Sequence, residues 1–225
     1  MSALRVGIFG GTFNPIHLGH LLLAETAREA LSLDRVLFIP VGQPPHKRVP
    51  GLLNGAARLR MVQLAIKDHP GFAASDLELQ RTGPSYSIDT VTALTGALPE
   101  AKLFLLIGQD MLGVRWVAWN ELTRLCRVVV ARRSLDSPHA LLRNAKQWGS
   151  LGIPPRGHPR GAPQASRVRP QPEIRWLDMP LISIASLDIR ARIAVGRSIR
   201  YLVPAPVERY IRRHRLYQAV GERVG

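Results

Sequence analysis

Cysteine, long apolar runs and acidic residues are all scarce in this chain, and each shortage removes a class of protein. A single cysteine among 225 residues cannot form an internal disulfide, so a disulfide-built scaffold is excluded. That residue, Cys126, precedes Arg127-Val128-Val129-Val130-Ala131, a run with the character of a buried strand, and is read as an inert core thiol. No apolar run reaches the roughly eighteen residues that a membrane-spanning helix needs. No basic-then-apolar leader precedes the first strand pattern, so a cytoplasmic protein is expected. Carboxylates number 16, and none form a cluster with metal-ligand spacing, so a metal held by the chain itself is not expected. Two phosphate-loop signatures are also missing: no Gly-Lys-Ser/Thr follows a glycine loop, and Gly-x-Gly-x-x-Gly is absent.

The shortage of acids leaves a net charge of +15, which raises the question of nucleic acid. The distribution answers it. Residues 1–131 carry 13 Lys/Arg against 10 Asp/Glu, whereas 132–175 and 190–225 each carry 9 against 2. The excess lies away from most of the segments with chemistry, so a solvated arginine surface is the reading, with no nucleic-acid partner and no membrane. Homo-oligomerisation is compatible with the chain but nothing in the sequence specifies it.

What is present is an N-terminal string, Gly10-Gly11-Thr12-Phe13-Asn14-Pro15-Ile16-His17-Leu18-Gly19-His20. It follows an apolar run, Leu4 to Phe9, and leads into an amphipathic helical pattern from Leu21 to Leu31. Glycines after a strand let the backbone approach a ligand, and a helix beginning near His17 aims unpaired N–H groups at the same place. His17 and His20 share one face of that first turn. Backbone donors, the Thr12 hydroxyl and two imidazoles suit a phosphate.

Further strand-like runs fall at 36–40, 72–79, 103–107, 127–131 and 174–177, with helical periodicity between them. Asn54 caps a predicted helix through Ile66 whose apolar face is Leu59, Val62 and Ile66. Ser87 or Asp89 opens another through Ala97. Alternating strands and helices predict an α/β, Rossmann-like doubly wound parallel sheet, with ligands beyond the C-terminal strand ends. Residues 134–172 break the pattern with an insertion, in which a short predicted helix at 139–148 precedes an Arg/Pro/Gly-rich stretch from Gly149 to Pro172. Helical pattern returns from about 186 to 217, on Ile189, Ile193, Val207, Tyr210 and Ile211.

The N-terminal string resembles the HxGH signature of the adenylyl and cytidylyl transferases. Pro44-Pro45-His46-Lys47, Gly83-Pro84-Ser85-Tyr86-Ser87-Ile88-Asp89-Thr90, Gly108-Gln109-Asp110, and Trp116 and Trp119 ahead of Glu121-Leu122 are similar to segments of the bacterial nicotinate-nucleotide adenylyltransferases. The ending from Ile199 to Tyr217 has the same family's form. This resemblance covers nearly the whole chain apart from 134–172 and implies one nucleotidyltransferase domain over 1–225. It implies transfer of the adenylyl group of ATP to nicotinate mononucleotide, releasing pyrophosphate, with Mg²⁺ carried mainly by the ATP phosphates. Nicotinamide mononucleotide or phosphopantetheine as acceptor, or a basic nucleic-acid-binding module, are the competing readings.

Roles follow for individual residues. His17 and His20 are the expected catalytic pair, holding ATP phosphates with Gly10, Gly11, Thr12 and Phe13. Gly108 and Asp110 are expected at the ATP ribose. The family's Ile-Ser-Ser-Thr-x-Ile-Arg is represented by Ile184-Ala185-Ser186-Leu187-Asp188-Ile189-Arg190, leaving Ser186 and Arg190 for ATP phosphates without two of the usual hydroxyls. Lys47 and Arg133, with Arg132 beside it, are expected at the mononucleotide phosphate, Ser87 at the nicotinate carboxylate, and Trp116 against the pyridine ring. Trp119 remains the alternative to Trp116, because the loop from Asp110 is shorter than is usual in the family.

Overall fold

A computed structural model describes residues 3–45, 49–133, 174–179 and 182–218. The apolar runs become six strands: β1 (Arg5–Gly11), β2 (Arg35–Pro40), β3 (Phe72–Ala74), β4 (Lys102–Gly108), β5 (Arg127–Arg133) and β6 (Arg175–Met179). All neighbouring pairs are parallel, in the order β3-β2-β1-β4-β5-β6. This is the strand order of the doubly wound Rossmann sheet. The chain therefore reverses its direction of travel across the sheet between β1 and β4.

Among the described residues six α-helices accompany the strands: α1 (Leu18–Ala30), α2 (Gly55–Ile66), α3 (Ser87–Ala97), α4 (Trp119–Leu125), α5 (Ser186–Ala194) and α6 (Ala205–Arg213). Alternation along the strands divides the core in two. Phe9, Val36, Phe38, Phe104, Leu106 and Val129 pack with α1, α2, α5 and α6 on one face. Val6, Ile8, Leu105, Ile107, Val128 and Val130 pack with α3 and α4 on the other. Strands buried on both faces must be near-continuously apolar, which is why they were legible as runs. No helix among the described residues is long and apolar enough to cross a membrane.

Two local expectations are corrected. The run predicted at 72–79 is a strand only to Ala74. Ser75 Oγ accepts the Leu77 N–H at 3.3 Å, and Asp76 O accepts from Leu79 and Gln80, so side-chain and turn bonding replaces the ladder. In α2, Asn54 Oδ1 caps Ala57 N–H at 2.8 Å as expected, but the buried face is Arg58, Met61, Val62 and Ile66, with Leu59 only half-buried. The predicted helix at 139–148 and the 134–172 insertion lie outside the described residues.

Candidate active site

The reversal point of the sheet brings the C-terminal ends of β1 and β4 side by side, which is where ligands bind in such sheets. β1 ends at Gly10-Gly11, and an added Cβ at Gly10 would meet nothing within 4 Å, so this backbone lies open to a ligand. β4 ends at Gly108, followed by a 3-10 turn over Gln109–Gly113. Asp110 is exposed and its carboxylate folds back against Gly108, where any Cβ would overlap it.

The loop from Thr12 to His17 is held from four directions. Asn14 is fully buried. Its Nδ2 donates to Gly51 O at 3.0 Å, and its Oδ1 accepts from Leu53 N at 3.3 Å and from Tyr217 Oη at 2.8 Å. Arg190 Nη1 donates to Asn14 O and Ser186 Oγ to Pro15 O, each at 2.9 Å. Arg58 Nη1 donates to Thr12 O at 3.0 Å, and Leu18 N to Leu202 O at 3.0 Å. Buried loop carbonyls need donors, and these supply them.

At the start of α1 the imidazoles of His17 and His20 stack, with centroids 3.6 Å apart and planes 24° from parallel. Gly19 makes room for this: a Cβ there would come within 3.1 Å of His17 Nδ1. The His17 backbone N–H donates to His20 Nδ1 at 3.2 Å. A neutral His20 therefore carries its proton on Nε2, where it can donate to a ligand oxygen. Desolvation, and secondarily the charge of His17, hold the His20 pKa well below the ordinary histidine range. Phe13 supports this ring edge-on at 5.1 Å.

The segments around Gly42 and Ser85 are joined by a polar network that sequence reading missed. Ser85 N donates to Gln43 O at 2.9 Å, and Ser85 Oγ accepts from Gly42 N and Gln43 N at 3.1 and 3.3 Å. Glu78 is buried and accepts from Thr90 Oγ1 at 2.7 Å, with Arg81 in turn donating to Thr90. Burial raises the Glu78 pKa, opposed by the Thr90 hydrogen bond and the Arg81 charge. This network fixes Tyr86, the N-cap of α3, so Ser87 opens that helix with its free N–H groups.

The predicted site residues divide accordingly. Gly10, Gly11, Thr12, His17, His20, Gly108 and Asp110 gather at the β1 and β4 ends. Phe13 differs from expectation: at φ 45° its side chain turns inward and is 1% exposed, so only its backbone faces the loop side. Ser186 and Arg190 reach the site by holding the loop carbonyls. Trp119 is buried in the α3–α4 core, whereas Trp116 is half-buried, its Nε1 donating to Met111 O at 3.0 Å. Arg132 Nε pairs with Asp178 Oδ1 at 2.9 Å across β5 and β6, which commits it to the sheet edge. Only the backbone of Arg133 is described, at the end of β5, and Lys47 lies outside the described residues.

Comparison with known proteins agrees with this geometry. The family model for cytidylyltransferase-like proteins matches residues 8–192. A probable nicotinate-nucleotide adenylyltransferase of Synechococcus sp. (strain JA-3-3Ab) is 43% identical over 217 residues, covering 95% of this chain and 94% of that protein. Its counterpart in Citrifermentans bemidjiense is 42% identical over 218 residues, covering 95% and 98%. In three dimensions the chain is similar to the Plasmodium falciparum nicotinic acid mononucleotide adenylyltransferase complexed with NaAD. The TM-score is 0.70 at 15% identity, covering 95% of this chain and 97% of that one. With a stacked histidine pair at the strand-reversal point and relatives alike over nearly their whole length, this chain belongs to the cytidylyltransferase-like family and, within it, to the nicotinate-nucleotide adenylyltransferases.

Proposed function

We propose that the chain transfers the adenylyl group of ATP to nicotinate mononucleotide, giving deamido-NAD and pyrophosphate, by direct in-line displacement at the β1–β4 reversal point. The observation that carries this reading is the stacked His17–His20 pair at the first turn of α1, beside the open backbone of Gly10. Both substrates are polyanions, so the protein's task is to hold them in line and to stabilise charge on the pentacoordinate phosphorus. His20 acts as a neutral Nε2–H donor to an ATP phosphate oxygen, since its Nδ1 is occupied and its cationic form is disfavoured. His17 supports it and faces the same phosphates. Asp110 accepts from ribose hydroxyls, and Arg190 adds positive charge while holding Asn14 O.

On the acceptor side, the α3 N-terminus at Ser87 receives the nicotinate carboxylate through backbone N–H groups. Trp116 lies against the pyridine ring, and Lys47 and Arg133 meet the mononucleotide phosphate. The donors around Gly10 to His20 are imidazoles and amides, a set that suits a Mg²⁺ carried by the triphosphate. Such an ion would supply charge neutralisation to the triphosphate, while His17, His20 and the Gly10 to Thr12 amides would hold the phosphate oxygens. We place the enzyme in the cytoplasm, where its single buried thiol, Cys126, stays reduced.

The test is pyrophosphate release from ATP and Mg²⁺ with nicotinate mononucleotide, nicotinamide mononucleotide and phosphopantetheine in turn. Nicotinate mononucleotide should give the highest kcat/KM. Equal rates with the nicotinamide form would remove the Ser87 carboxylate role, and release with none would remove the function. His20→Ala should lower kcat by about 10²- to 10³-fold, the usual cost of one transition-state donor.

A further inference from the structure

Helix α2 buries an arginine on its apolar face. Arg58 lies three and four residues before Met61 and Val62, shares their stripe, and is 1% exposed. No ion pair involves it among the described residues. Instead its guanidinium donates to three backbone carbonyls: Nε to Leu53 O at 2.9 Å, Nη1 to Thr12 O at 3.0 Å and Nη2 to Val41 O at 2.7 Å. Burial lowers its pKa from the ordinary arginine value, and the group still stays charged.

The three carbonyls belong to three loops. Thr12 opens the loop that carries His17 and His20. Val41 opens the loop that leads from β2 to Pro44, Pro45 and on to Lys47. Leu53 immediately precedes the α2 cap, Asn54. β1 and β2 are paired to their last residues, Gly11 opposite Pro40, and beyond that Val41 N donates to Gly11 O at 2.9 Å. Past this point Arg58 joins the two loops through Thr12 O and Val41 O.

Packing alone does not account for an arginine here. A methionine or leucine would fill an apolar stripe without the cost of desolvating a charge. What arginine adds is a rigid planar fork of donors that can serve several acceptors at once. We propose that Arg58 is a positioning residue that holds the ATP-phosphate loop and the acceptor loop in one relative geometry, so that the two substrates meet at reacting distance. The assignment of substrates to those loops rests on the function proposed above.

The experiment uses the full chain with Arg58→Lys and Arg58→Met, each compared with wild type. It measures KM for ATP, KM for nicotinate mononucleotide and kcat per folded enzyme, with thermal unfolding as the measure of folding. Lysine keeps the charge and a long stem, so this variant folds, but its ammonium cannot span three divergent carbonyls. We expect both KM values to rise and kcat to fall, with kcat/KM lower by about 100-fold, the scale expected for displacement of a reacting group by about 1 Å. Arg58→Met should lose more. If it does not fold, Arg58→Lys alone decides.

Wild-type KM values for both substrates, with activity lowered only in step with the folded fraction, would make Arg58 merely structural and overturn the proposal. A change confined to one substrate would overturn the coupling of the two loops. ATP binding by calorimetry without acceptor separates this outcome from failure of the function. Weakened ATP binding in Arg58→Lys supports the loop geometry whatever the acceptor is, and unchanged ATP binding overturns it.

Discussion

Gly19→Ala should stabilise the protein and slow the enzyme. Gly19 is the second residue of α1, where alanine is favoured over glycine by up to about 1 kcal/mol in backbone terms. The new Cβ would lie 3.1 Å from His17 Nδ1 and 3.2 Å from His17 Cε1, whereas carbon contacts settle near about 3.5–4.0 Å. The His17 ring must therefore shift by roughly half an ångström. It cannot slide toward His20, because the two rings already stack at 3.6 Å, and the residue is buried. If a displacement of about 1 Å costs on the order of 100-fold, half of that costs about 10-fold in kcat. The corresponding barrier is about 1.4 kcal/mol, similar in size to the helical gain but acting on a different quantity. Thermal unfolding and steady-state kinetics on the same preparation separate the two effects. Tm should hold or rise by about 2–4 °C, the shift that 1 kcal/mol gives in a domain of this size, while kcat falls. Wild-type kcat would refute the idea that the glycine exists to admit the stacked imidazole, and a lowered Tm would refute the expectation that the helical gain outweighs the crowding.

The two tryptophans should part company. Trp116→Ala should raise the acceptor KM with little loss of stability, whereas Trp119→Ala should cost about 3–5 kcal/mol in denaturant unfolding, as buried aromatic truncations do. The reverse pattern would mean that the stacking role was given to the wrong ring. His20, followed by its imidazole proton resonances, should remain neutral well below pH 6.5, and a midpoint at or above 6.5 would refute its role as a neutral donor. Because its folded pKa is depressed, its contribution to stability is present above about pH 6.5 and is lost as the pH falls toward the folded value.

How much of this was legible in the sequence depended on the range of the interactions involved. β1, β2, β4 and β5 could be read because a strand covered on both faces must be apolar throughout. The Asn54 cap could be read because its partner, Ala57, is three residues away. The histidine pair showed in its spacing. Arg58, Glu78 and Tyr217 did not show, because a polar residue is buried only where distant chain supplies its partners. The one local sign was Arg58 occupying a slot on the stripe of Met61 and Val62. Phe13 was expected at the nucleotide, and nothing local announces the positive φ that turns its ring into the core. β3 was overestimated for the opposite reason, since Ser75 and Asp76 form short-range bonds that compete with a strand.

The bond from Tyr217 to Asn14 joins residues 203 positions apart. Synthesis proceeds at roughly 5–20 residues per second, so the anchor leaves the ribosome about 10–40 seconds after the loop it secures. During most of that interval the growing chain holds Gly10 to His20 but lacks Ser186 and Arg190, and throughout it lacks Tyr217. The order of this loop is thus completed only near the end of translation, and a chain halted before Ser186 has the histidine signature without the side chains that hold its loop.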